Sequence, residues 1–110
     1  MKKLTYAVWF IALVLLWGGV AGAHKVNLFA YVEGGRIFTE SYFPDGRPVT
    51  GGRVLVYDSS KQLLLEGKTD PEGLFSFAIP KVDEITIVLE ASMGHKTSFT
   101  LKETEVAAGK

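Results

Sequence analysis

Apolar positions along the chain follow two regimes. From Leu4 to Trp17 they form a nearly unbroken run. Beyond residue 24 they alternate with polar positions, and turn residues interrupt the alternation at short, regular intervals. Period-two alternation places successive side chains on opposite faces of a strand, and its repetition between turns predicts a sandwich or barrel. Seven strands are expected. Lys25–Glu33 carries Val26, Leu28, Ala30 and Val32 on one face, and Gly34-Gly35 then signals a two-residue hairpin. Arg36–Phe43 returns, rich in aromatic and β-branched residues, until Pro44-Asp45-Gly46 breaks it. Arg53–Tyr57, with Val54 and Val56 inward, turns through Asp58-Ser59-Ser60-Lys61 into Gln62–Glu66. Leu74–Ile79 presents Phe75, Phe77 and Ile79 together, and Pro80 ends it. Glu84–Glu90 alternates Ile85, Ile87 and Leu89, and Lys96–Lys102 closes the set. No helix of useful length is visible after the first segment. Residues 103–110 show no periodicity and are expected to form a flexible, frayed tail.

The first segment is kept apart from the fold. Lys2-Lys3, the apolar run, Gly18-Gly19 and the small residues Ala21-Gly22-Ala23 follow the order of a secretory signal peptide, residues 1–23, cleaved after Ala23. The alternative is an uncleaved anchor, since about 20 apolar residues suffice to span a bilayer. The mature protein would then be exported, to the periplasm in a bacterium, and would touch the membrane only through an uncleaved leader. Cleavage takes two of the 12 basic residues, leaving 10 against 12 acidic ones in 87 residues. That balance argues against nucleic acid, which requires a basic face, and offers no polybasic patch for anionic lipid. With no cysteine, the domain must hold together through its core or a ligand.

If each connection reverses the chain, strands one, three, five and seven run one way and the others run back. His24, Asp45, Asp70, Glu72, Met93 and His95 then share one end of the sandwich. The opposite end, with Gly34-Gly35, Ser59-Ser60 and residues 81–83, offers little chemistry.

The most specific local pattern is Thr69-Asp70-Pro71-Glu72-Gly73 before Leu74-Phe75-Ser76-Phe77. Asp accepts from backbone amides two residues on, Pro fixes φ, and Gly takes the positive φ that re-enters a strand. That reading is structural. Gly67–Phe75, with Tyr42–Val49, Gly52–Tyr57 and Leu89–Lys96, also resembles the carboxypeptidase regulatory-like modules, which are transthyretin-like β-sandwiches. Taken with His24-Lys25-Val26 and Met93-Gly94-His95, the chain resembles the small periplasmic components associated with energy-coupling-type nickel and cobalt transporters. The resemblance covers nearly all of residues 24–102. It implies an all-β, transthyretin-like or Ig-like sandwich of seven strands, with nickel or cobalt as cargo and membrane metal-transporter subunits as partners.

The residues themselves make a separate case for metal. Of the two histidines, His24 would become the mature N-terminus and offer an α-amine and an imidazole from one residue. Such nitrogens suit Ni, Co, Cu and Zn. His95 comes to the same end by the alternation of strands, with Gly94 allowing a close turn. Met93 can add a soft ligand, and Asp45, Asp70 or Glu90 a carboxylate. The expected metal ligands are thus His24, His95 and Met93. The plain alternative makes His24 a loose polar terminus and His95 a solvated turn residue, in a scaffold or adhesion module that binds another protein. An enzyme is not expected: there is no Cys nucleophile and nothing resembling a nucleophile elbow. A terminal His with a second His also resembles the ligand pair of copper oxygenases, but 87 residues leave little room for their substrate surface.

Overall fold

A computed structural model describes residues 25–110. The leader assigned to residues 1–23 and the expected ligand His24 lie outside the described residues. Seven strands follow in order: β1 (Asn27–Glu33), β2 (Arg36–Tyr42), β3 (Arg53–Tyr57), β4 (Leu63–Lys68), β5 (Leu74–Ala78), β6 (Ile85–Glu90) and β7 (Lys96–Leu101). They form two antiparallel sheets, ordered β1-β2-β5 and β4-β3-β6-β7. This is the all-β, seven-stranded sandwich that the alternation predicts. Among the described residues, no helix is long and apolar enough to cross a membrane.

The core lies between the inner faces. Val26, Leu28 and Ala30 from β1 and its approach, Val54 and Val56 from β3, Phe77 from β5, and Ile85, Ile87 and Leu89 from β6 are buried together. All of the valines, leucines and isoleucines in this set were expected inward. Phe75 packs against the cluster but is only partly buried, with its ring over Gly67 of β4. Ile37, Val49, Leu101 and Val106 complete the core.

The central strand of the smaller sheet inverts the hydropathy expectation. Its inward row is Ile37, Thr39 and Ser41, all buried, while Phe38 and Tyr42 face outward. Burying two hydroxyls is tolerable because both donate to backbone carbonyls of β5 and the turn before it: Thr39 Oγ1 to Phe75 at 3.1 Å and Ser41 Oγ to Gly73 at 2.9 Å.

Residues 103–110 are not a frayed tail. Glu103–Ala108 forms a short helix, α1, whose Val106 is fully buried. The Glu105 carboxylate accepts from the Lys102 amide at 3.2 Å, and Gly109 O accepts from the Gly35 amide at 2.8 Å. A single buried residue in one and a half turns is too little to register as a periodicity, so packing rather than pattern fixes this helix.

Candidate functional site

The predicted alternation of strand direction is met in both sheets, since every pairing is antiparallel. One pole therefore collects the loops 43–52, 69–73 and 91–95. Asn27 pairs with Tyr42, so β1 also begins at this pole.

The loop after β2 is closed by its own backbone. Gly46 N donates to Phe43 O at 2.9 Å and Phe43 N to Arg47 O at 2.8 Å. Asp45 is consumed locally: its carboxylate accepts from the Arg47 amide at 3.0 Å and from Arg47 Nε at 2.7 Å. These bonds, the amide first, hold its carboxyl below the usual carboxylate range. The Arg47 guanidinium lies 4.9 Å above the Phe43 ring, and the same ring meets His95 edge-on, at 5.9 Å between centroids.

His95 is positioned by a tight turn. Ser92–Gly94 forms one 3₁₀ turn, with His95 N donating to Ser92 O at 3.3 Å and Ala91 N to His95 O at 2.8 Å. The turn requires left-handed backbone at two successive residues, Met93 (φ 63°) and Gly94 (φ 77°). Glycine adopts it freely, whereas methionine does so at a cost. Met93 is 89% exposed at the tip, while His95 is half-buried beneath it. A shallow depression of about 270 Å³ runs along Glu90, Ala91, Gly94, His95 and Lys96.

Two further carboxylates at this pole are occupied. Asp70 Oδ1 accepts from the Glu72 and Leu74 amides, both at 2.9 Å, and shapes the turn as its sequence predicts. Glu90 accepts from Arg53 at 3.3 Å and lies 3.8 Å from Lys96 Nζ. Among the described residues, no three His, Cys, Asp or Glu side chains converge as a metal site. His95, Met93 and Glu90 thus belong to one loop region, while Asp45 and Asp70 have structural roles.

The turn at 69–73 is tied to the loop before β3 by a buried hydroxyl. Thr69 Oγ1 accepts from the Gly52 amide at 2.8 Å and donates to Val49 O. Gly73, with φ 78°, leaves no space for a side chain: a Cβ there would lie 2.3 Å from Ser41 O.

The opposite pole holds more chemistry than its sequence suggests. Asp58 is buried and accepts from the amides of Ser60 and Gln62 at 2.9 Å and from Lys81 Nζ at 3.3 Å. Asp83 accepts from the Ser59 hydroxyl at 2.8 Å and from its amide at 3.1 Å. The Gln62 amide first, then Lys81, lowers the Asp58 carboxyl, and the Ser59 hydroxyl lowers that of Asp83. An Asx-turn residue followed by serines was the available signal.

The fold is an antiparallel two-sheet sandwich with loops gathered at its two ends. No family model matches the chain. It is 31% identical over 107 residues to an uncharacterized protein of Haemophilus influenzae, covering 94% of this chain and 65% of that relative. The chain therefore spans just under two thirds of the relative's length.

Proposed function

We propose that the exported sandwich binds a divalent transition metal, nickel or cobalt, at the pole carrying His95 and assists its delivery to membrane transporter subunits. The observation that carries this reading is the place of His95. Phe43 holds its ring at the same pole as the start of β1. The donor set fits a nitrogen site that a terminal residue completes. The described ligands include one imidazole, the carboxylates around it are neutralised by Arg53, Lys96 and Arg47, and Met93 stands exposed. A mature His24 would add an amine and a second imidazole. Two or three neutral nitrogens suit Ni, Co, Cu or Zn better than a hard cation. An open site of this kind releases its cargo by ligand exchange. Titration calorimetry of nickel and cobalt into the exported protein tests it. His95→Ala should weaken binding at least tenfold, and equal affinity in the two proteins would exclude the site.

The second reading, a module that binds another protein without metal, is favoured by a different observation. The outer face of the smaller sheet exposes Phe29, Tyr31 and Leu74. The same titration separates the two, since a metal-free module gives no saturable heat at this pole.

A further inference from the structure

The outer face of the three-stranded sheet is built unlike an ordinary solvated surface. Opposite one another on β1 and β2 stand Tyr31 and Phe38, their rings stacked at 5.3 Å and 16°. Phe29 and Tyr42 stack at 6.1 Å and 29°. Phe29 is 51% and Tyr31 45% exposed, and Leu74 of β5 adjoins them. Four aromatic rings and a leucine on one sheet face outward, where the period of a half-buried strand calls for polar residues.

The charges on this face carry a symmetry. The outward row of the central strand β2 reads Arg36, Phe38, Glu40, with opposite charges equidistant from the aromatic residue. Level with Arg36 stand Glu33 and Ala78, level with Phe38 stand Tyr31 and Ser76, and level with Glu40 stand Phe29 and Leu74. Two in-plane two-fold axes can be compared, one along the strands and one across them. An axis along the strands sets Arg36 on Arg36 and Glu40 on Glu40. An axis across the strands at Phe38 sets each Arg36 on the other copy's Glu40, each Ala78 on its Leu74 and each Glu33 on its Phe29, with Phe38 and Tyr31 at the centre. The first arrangement is repulsive, and the second makes two ion pairs around an aromatic core.

We propose that two copies of this chain stack face to face through β1, β2 and β5, about a two-fold axis crossing the strands at Phe38. The face is three strands wide and about five residues long, so it covers on the order of 250 Å² per copy. Stable complexes bury about 1,200 Å² or more in total, so this dimer is weak and forms in concentrated protein. Its charged rim gives register and orientation, while the rings supply the apolar contact.

The chain has no cysteine, so single thiols can be placed to read this geometry. Ser76→Cys lies level with Phe38 and should face its own copy across the axis. Ser98→Cys on the exposed side of β7 should not. With a short bis-maleimide on exported protein at ~0.5 mM, a concentration suited to a weak complex, S76C should cross-link and S98C should not. Adding Arg36→Glu or Glu40→Arg should reduce the S76C product at least fivefold. The double reversal R36E/E40R, which restores opposite charges across the axis, should bring it back. A yield for S76C no greater than for S98C overturns the proposal, and the face then serves a different protein or a glycan. Single reversals without effect, or a double reversal that fails to rescue, overturn it equally.

Discussion

The ring of Phe43 meets the imidazole of His95 edge-on, with centroids 5.9 Å and planes 68° apart. Phe43 follows β2 of the smaller sheet and His95 precedes β7 of the larger one, so this contact joins the two sheets at one pole. It also fixes the one described imidazole on the side where β1 starts. An edge-to-face pair of this kind contributes about 0.5–1.5 kcal/mol beyond its buried area. Phe43→Ala should remove the ring-current shift from the His95 imidazole protons in a proton–carbon NMR spectrum. An unchanged shift would mean that the two rings do not meet in solution.

The Thr69 hydroxyl both accepts from Gly52 N and donates to Val49 O in a buried place. Thr69→Val keeps the shape and leaves both backbone groups unpaired. Unpaired buried groups cost about 1–3 kcal/mol each. The urea midpoint of the variant should fall accordingly, and a loss under ~0.5 kcal/mol would show that water replaces the hydroxyl.

Helix α1 is held by one fully buried side chain. Val106→Ala removes two methyl groups from the core, about 0.8 kcal/mol each for transfer with a cavity cost added, for a loss near ~2 kcal/mol. Hydrogen exchange should show the Gly35 amide, which donates to Gly109 O, losing protection in the same variant. Unchanged stability and exchange would place the helix off the core.

Asp58 and Asp83 both titrate below the usual carboxylate range. A carboxyl lowered by folding binds its proton more weakly in the native state than in the unfolded chain. Its stabilisation is therefore present above the unfolded value, ~3.9, and is lost as pH falls through the lower folded value. The urea midpoint should drop as pH falls from about 5 towards 2. Asp58→Asn should be less stable at neutral pH and show a shallower drop. An identical slope in the two proteins would remove Asp58 from the account.

The strand pattern was legible because β1, β3 and β6 put an aliphatic residue at every second position, and Val54, Val56, Ile85, Ile87 and Leu89 are all fully buried. The shared pole of Asp45, Asp70, Met93 and His95 was legible too, since it needs only the number of strands and short reversing connections. The inner row of β2 was not. Thr39 and Ser41 are polar, and only their bonds to the Phe75 and Gly73 carbonyls, 36 and 32 residues away, make their burial favourable. Asp70 reads first as a turn residue, and it and Asp45 were also open to use as metal carboxylates; their backbone donors fit turns. The helix at 103–108 escaped because Val106 alone points inward, and one position carries no period.

Nickel and cobalt titration into exported protein with an authentic His24 terminus, beside a form extended by one Gly before His24, tests the metal reading most directly. The extension keeps both imidazoles and a terminal amine but moves that amine out of the His24 chelate. Binding to the authentic form should also weaken in acid, because imidazole and amine donors must shed protons to coordinate. The account predicts that the added Gly weakens affinity by one or more factors of ten, about 1.4 kcal/mol each. Equal affinity for the extended form and for His95→Ala would contradict it and leave the metal-free binding module as the better reading.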